Sequence, residues 1–348
     1  MAKINPEFTI ELKKYGAFDP NACYNCGHCT AVCSLSDEQN SFPRKMVRFS
    51  VLGLESEIQA SLDPWLCYYC GECSASCPRE ADPGELMMSL RRYLTAKYDW
   101  TGLSGLLYKY LGLAIFAFLL FIALVIGFAA SQDFNLEKIM YYGHFFEMGA
   151  IAMVFLFILT PNIIRMWWLS VYKSGKKIAF KNYLTSFSEL LIHMFTQKRA
   201  LGCDDNQFRW LEHLVLVFAY LSLLFTTVFL NWFETHNLFI ILLGYVESAL
   251  IFIVTFDFVR RRMQKDTELS SHSHPSDWFF VIWLLLMGLS AFLVRLLIDI
   301  NLLEQMTWMY YLHLIVLVQW ALIIVPFGKW THFLYRSFAM YFEKVLNP

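Results

Sequence analysis

Polar and apolar residues are mixed in two different ways along this chain. Up to about Tyr98, apolar residues recur every three or four positions among polar ones, the period of short amphipathic helices. Beyond Leu106 they run together. Six apolar stretches, near 108–130, 141–169, 209–233, 237–260, 277–300 and 307–330, are each long enough to cross a hydrocarbon core of about 30 Å at about 1.5 Å per residue. The connection from Val171 to Phe208 is too polar to span. It carries one amphipathic piece, Leu184 to Phe195, expected to lie along the membrane surface.

In the polar part, Met1 to Asn21 reads as a lead-in with one short helix. Phe42 to Leu54 repeats apolar residues at helical spacing, and Gly53 marks a stop. Ala81-Asp-Pro-Gly-Glu opens a further helix through Leu86, Leu90 and Tyr93. Nothing alternates with period two. The expected fold is therefore all-α, with a helical domain over residues 1–100 and a six-helix transmembrane domain over 101–348.

Eight of the nine cysteines fall between Cys23 and Cys77, in two copies of one pattern. The first reads Cys23-Tyr-Asn-Cys26-Gly-His-Cys29-Thr-Ala-Val-Cys33. The second reads Cys67-Tyr-Tyr-Cys70-Gly-Glu-Cys73-Ser-Ala-Ser-Cys77-Pro78. Three thiolates at C-x-x-C-x-x-C spacing wrap three corners of one iron–sulfur cube, and the fourth cysteine ligates the other cube. The spacing thus assigns Cys23, Cys26, Cys29 and Cys77 to one [4Fe–4S] cluster, and Cys67, Cys70, Cys73 and Cys33 to a second. Structural zinc leaves the third C-x-x-C step without a purpose. Disulfides need an oxidising compartment, and Met1 to Lys14, polar and mixed in charge, does not resemble a secretory signal. Cys203 is a single thiol to which no role is assigned.

The 57% hydrophobic and 18% aromatic content sits above the globular norm because the second part carries it. A net charge of −1 says little, since the charges are sorted by position. Arg165, Lys173, Lys176, Lys177, Lys181, Lys198, Arg199 and Arg209 lie between the second and third stretches. Arg260, Arg261, Arg262 and Lys265 follow the fourth, and Lys329, Arg336 and Lys344 the sixth. The opposite loops hold little beyond Lys138. By the positive-inside rule both termini and the cysteine domain are expected on the cytoplasmic side of a bacterial or archaeal inner membrane. No basic stripe or motif supports nucleic-acid binding.

Histidines mark the membrane part. His313 and His332 bracket the last stretch, roughly 28 Å apart along an ideal helix and on faces about 100° apart, with Pro326 between them to distort it. Two histidines at opposite depths suit axial ligation of two stacked b-type haems. His213, at the inner start of the third stretch, pairs with His332 for an inner haem. His313 needs an outer mate, His144 being favoured over His236. The alternative is that these are interfacial histidines bonded to water or headgroups. His193 on the surface helix is a candidate for a quinone hydrogen bond. Glu247 and Arg295 are ionisable groups inside spans, suited to proton transfer at a quinone and to a propionate or quinone contact. They serve equally well as buried polar groups that fix helix packing. His272 and His274 read as loop histidines.

These residues carry a family resemblance. The cysteine domain resembles the C-subunit of heterodisulfide reductase, and the membrane part is similar to its E-subunit and to the dihaem gamma subunit of respiratory nitrate reductase. The run from His313 through Pro326-Phe-Gly-Lys-Trp-Thr to His332 is the closest local match to the latter. The fusion of both parts, with Phe42-Pro-Arg-Lys-Met, Gly53-Leu and Trp65-Leu-Cys67, resembles the membrane subunits of the quinone-interacting membrane-bound oxidoreductases, Qmo, of sulfur-metabolising bacteria. That resemblance implies two haems b, a menaquinone site, flavin-containing A and B partner subunits carrying iron–sulfur centres, and electron exchange with adenylylsulfate reductase.

The expected function is electron transfer between menaquinol and soluble partners. A heterodisulfide-reductase-type subunit serving another acceptor is the nearest rival, although the chain lacks the adjacent cysteines of that catalytic chemistry. It also lacks a G-x-G-x-x-G fingerprint and must hand electrons onward. A non-enzymatic membrane anchor or sensor stapled by metal is the rival from another class.

Overall fold

A computed structural model describes residues 4–198, 201, 207–265 and 272–348. Among them there is helix and no strand. The first part folds as α1 (Phe8–Lys13), α3 (Arg44–Val51), α4 (Glu55–Ala60) and α5 (Asp63–Leu66) around α7 (Pro83–Tyr98), with two one-turn helices, α2 (His28–Ala31) and α6 (Glu72–Ala75), inside the cysteine loops. The start of α7 follows from its sequence. Pro83 stands in the first turn, where a missing N–H costs nothing, and Asp82 accepts the Glu85 N–H at 3.2 Å. Almost all of α7 is buried. Leu86, Leu90, Tyr93 and Tyr98 meet Phe8, Leu12, Met46, Ile58 and Trp65 in one core. That core does not stop at the domain's edge, because Met166, Tyr335, Ala339 and Phe342 from membrane helices complete it.

Six helical units are long and apolar enough to cross a bilayer: Leu111–Ser131, Leu136–Ser174, Gln207–Val228, Leu238–Gln264, Pro275–Asp299 and Thr307–Leu346. The short α8 (Leu103–Lys109) leads into the first, α9 (Leu111–Ser131). The second comprises α10 (Leu136–Val154), a π turn at Phe155–Leu159, and α11 (Thr160–Ser170). Pro161 explains the irregular turn: it has no N–H for the carbonyl of Phe157, and the indole Nε1 of Trp100 donates there instead at 2.8 Å. The amphipathic α12 (Phe180–Thr196) packs along the last helix rather than spanning. Then come α13 (Gln207–Val228), α14 (Leu238–Gln264) and α15 (Pro275–Asp299), with α14 packed between its two neighbours. An even number of crossings returns the C-terminus to the cysteine-domain end.

The last unit departs from expectation. Instead of one kinked span ending near residue 330, it consists of α16 (Thr307–Gln319), a π turn at Trp320–Ile324, the short α17 (Val325–Phe327), a break at Gly328, and α18 (Thr331–Leu346). Pro326 removes a ladder hydrogen bond, and the π turn just before it absorbs the mismatch. Gly328 is required because an added Cβ would sit 2.7 Å from the Ile324 carbonyl oxygen. His313 and His332 therefore lie on separate helices, and an ideal-helix angle between them has no meaning. The lipid-facing sides of α9 and α10 expose Phe116, Leu119, Leu124 and Met153, a surface that suits hydrocarbon rather than water.

Candidate functional site

The two cysteine copies fold into the same loop. Asn25 and Tyr69 adopt left-handed φ values of 57° and 58°, and Gly27 and Gly71 follow at 89° and 91°. Glycine relieves the Cβ strain at the tightest point of each turn. The N–H of Asn25 donates to the Cys23 sulfur at 3.3 Å, and the N–H of Tyr69 donates to the Cys67 sulfur at the same distance. Backbone donors aimed at sulfur are what iron-bound thiolates require.

The loops face one another through α2 and α6, so the fourth cysteines cross over. Burial first, then the sulfurs of Cys23, Cys77 and Cys26, push the Cys29 thiol above its ordinary range. Burial, then Cys67 and Cys70, does the same to Cys33. Burial, then Cys67, Cys70 and Cys33, with Cys29 of the other loop the smallest contributor, raises Cys73. The leading neighbours thus fall into the sets Cys23, Cys26, Cys29, Cys77 and Cys67, Cys70, Cys73, Cys33. Among the described residues, no three His, Cys, Asp or Glu side chains converge as a single metal ion needs. The tetrads differ in setting: in the first only Cys29 is buried and Cys26 is exposed beside Tyr24, which is 71% exposed, whereas in the second Cys67 and Cys73 are buried and Cys33 and Cys70 half-buried.

The second loop lies against the membrane part, and the contact is Arg91. Its Nε donates to the Pro64 carbonyl at 2.6 Å and its Nη2 to the Cys67 carbonyl at 2.5 Å. Its Nη1 stands 3.4 Å from His332 Nε2. Trp65 covers the same imidazole, with ring centroids 5.7 Å apart. Beside it runs a buried ionic chain. Tyr69 donates to Glu85 at 2.9 Å, Glu85 pairs with Arg92 at 3.0 Å, Arg92 pairs with Asp277 at 3.0 Å, and Asp277 pairs with Lys329 at 2.8 Å. Burial, only partly offset by Arg92, raises the Glu85 carboxyl. Between these two sets of contacts is a cavity of about 20 Å³, lined by Trp65, Arg91, Arg92, Asp277, Lys329 and His332 among others, room for about one water molecule.

The structure brings His213 and His332 into one basic neighbourhood shared with Arg336 and Lys329. Two imidazoles amid cations fit a haem b, whose propionates need positive partners. His332 Nε2 is, however, turned to Arg91, so ligation through that nitrogen requires exchanging the contact for iron. At the far end, His313 is buried and its Nδ1 lies 2.8 Å from Ser290 Oγ, leaving Nε2 for a metal. Its ring meets Phe233 at 5.5 Å. Of its candidate mates, His144 is half-buried with its ring 6.2 Å from that of Phe145, and His236 is exposed in the α13–α14 loop.

His193 is buried on α12. Glu247 accepts from Ser222 and, at 2.9 Å, from Thr226, both on α13. Arg295 donates to the carbonyls of Trp232 and Thr235 and pairs with Asp299 at 2.7 Å. Each of the two thus has its own partners: Glu247 ties α14 to α13, and Arg295 ties α15 to the α13–α14 loop. His274 caps α15 by accepting the Ser276 N–H at 3.2 Å, and His272 lies 3.4 Å from Asp82. Cys203 and Arg199 lie outside the described residues. Sequence reasoning passed over Arg91, the Arg92–Asp277–Lys329 chain, and Glu147, which takes a hydrogen bond from Thr227 at 3.3 Å. A pair of adjacent arginines inside the apolar spacing of α7 was the available signal.

Residues 22–82 match the family model of the 4Fe-4S dicluster domain. No curated protein and no solved structure shows significant similarity to the chain. Fold and cysteine site together define an iron–sulfur electron-transfer protein of multi-pass membrane type.

Proposed function

We propose that the chain is the membrane electron-transfer subunit of a quinone-dependent oxidoreductase complex of the Qmo type, linking menaquinol in the bilayer to soluble flavin and iron–sulfur partners and, through them, to adenylylsulfate reductase. One observation carries this reading: Arg91 joins the Cys67 loop to His332, so the buried tetrad backs onto the membrane helices while the other tetrad faces solvent at Cys26. That order suits a path from lipid to a soluble acceptor. The lysine and arginine asymmetry supports placing the cysteine domain on the cytoplasmic side.

His213 and His332 would hold a haem b near the cluster end, and His313, with His144 or His236, one at the far end. Bound haem supplies a one-electron carrier at fixed depth. The protein's own residues do the rest. The eight thiolates hold the cubes, Trp65 screens the junction from water, and Ser290 fixes the His313 tautomer. Glu247 and Arg295, with their donors and acceptors engaged, act on a quinone only by releasing those partners, and His193, buried on α12, is the third candidate.

An optical spectrum of the purified chain, reduced by a menaquinol analogue, tests the proposal. Reduced b-type bands that are lost in His213→Ala or His332→Ala support it. Unchanged spectra in both variants remove the inner haem, and iron and sulfide far short of two cubes per chain remove the conduit altogether.

A further inference from the structure

Arg91 is a buried cation whose contacts are all neutral. It is 4% exposed, and its donors meet the Pro64 and Cys67 carbonyls, Met88 Sδ and the imidazole of His332. Arg92, next to it, is held between two carboxylates, Glu85 and Asp277. Among the described residues, Arg91 forms no ion pair. Burying an unpaired guanidinium is expensive and persists only where an anion shares the site. The nearby Glu85 carboxylate is already paired with Arg92, so the anion left to balance Arg91 is the tetrathiolate cluster of Cys67, Cys70, Cys73 and Cys33, beside whose first ligand it is anchored.

The first tetrad has cations of a different kind. Arg44 reaches over Gly27, and Arg79 lies 4.1 Å from the Tyr24 ring, but Arg79 is exposed and Arg44 half-buried. Water and salt screen such charges, whereas a charge in a dry junction keeps most of its field. Each one-electron reduction adds a negative charge to a cluster, and a fixed buried cation favours it.

We propose that Arg91 is a positioning residue that makes the second cluster the more readily reduced of the two, so that an electron arriving from the membrane side rests there before passing to the exposed first cluster. This rests on the reading that both tetrads hold [4Fe–4S] clusters. It needs neither haem nor quinone.

The test is an EPR-monitored reductive titration of the full-length protein, comparing wild type, Arg91→Lys and Arg91→Met. In wild type the second cluster is expected to be reduced first, identified by its loss in Cys33→Ser. Arg91→Met is expected to shift the electron distribution toward the first cluster by about tenfold or more, the scale of one charge in a partly dry site. Arg91→Lys keeps the charge but not the fork, and is expected to keep the order. A wild type in which the first cluster is reduced first would overturn the inference. So would an unaltered gap in Arg91→Met with both clusters loaded, or a shift in Arg91→Lys as large as in Arg91→Met. Should Arg91→Met lose its second cluster, Arg91→Lys alone decides: a second cluster that it retains at the wild-type order supports the role of charge, and one that it also loses or reorders refutes it.

Discussion

Ser290 on α15 and His313 on α16 meet in the buried far half of the bundle, Oγ to Nδ1 at 2.8 Å. A hydroxyl in that position selects which imidazole nitrogen carries the proton and fixes the ring plane. If His313 ligates iron through Nε2, Ser290→Ala should weaken haem retention at the far end about 10- to 100-fold, the usual cost of losing an outer-shell partner. Haem content and b-type absorbance after detergent dialysis measure it, with Ser290→Thr restoring retention. Full retention in the alanine variant would mean the serine serves packing alone.

The crossed grouping of cysteines makes a sharp prediction about Cys33 and Cys77. Each follows one loop in sequence but stands among the sulfurs of the other. Cys77→Ser should therefore disturb the exposed first cluster and Cys33→Ser the buried second one, each removing about half of the iron. Iron analysis with EPR distinguishes the two. If Cys77→Ser removed the signal of the Cys67 loop instead, the crossing would be wrong.

Much of this architecture was legible because it depends on patterns local in sequence. Six long apolar runs leave helices as the only way to satisfy the backbone in lipid, and a doubled cysteine motif dictates a doubled loop. What stayed hidden depends on meetings between distant segments. Arg91 and His332 are separated by most of the chain, and no spacing rule connects them. The break at Gly328 was half legible: Pro326 announced a distortion, but the π turn and new helix start depend on how α18 packs against α5, α7 and α12. Glu247 and Arg295 read as functional because ionisable groups in spans are costly. Their partners, Ser222, Thr226, Asp299 and two loop carbonyls, appear only in three dimensions.

Glu55 gives a pH-dependent test within the cysteine domain. It receives Lys97 at 2.8 Å, Tyr93 at 2.6 Å and Gln59 at 2.9 Å. Burial alone would raise its carboxyl, but Lys97 and Tyr93 more than reverse this and hold it below the usual range. A depressed folded-state value means the unfolded chain binds the proton more readily, so the stabilisation is complete above about pH 4.3, the ordinary glutamate value, and fades as pH falls through the folded one. Glu55→Gln should cost about 1 kcal/mol at neutral pH, with the gap constant from pH 8 to about 5 and closing only below about 4.3. Hydrogen exchange in α4 and α7 reports it. A gap that narrows between pH 8 and 6 would assign the effect to another group.

Gly244 offers the cleanest probe of the far end. A Cβ there would lie 2.2 Å from Trp232 Cε2, and Trp232 is fully buried with its Nε1 3.3 Å from the Ile241 carbonyl oxygen. The same loop presents Phe233 to His313 and is held by Arg295 through the Trp232 and Thr235 carbonyls. Gly244→Ala must displace the indole and with it the wall of the His313 site, at about 1–3 kcal/mol for an overpacked core. Helix propensity acts in the opposite direction, since alanine is favoured over glycine by up to about 1 kcal/mol. Gly127, on α9, has open space around its Cβ position, so Gly127→Ala should be neutral or slightly stabilising. Thermal unfolding of the detergent-solubilised protein compares them. If Gly244→Ala proved as stable as Gly127→Ala, the indole would have to be free to move, and the far-end site would lack the rigid wall on which the His313 geometry depends.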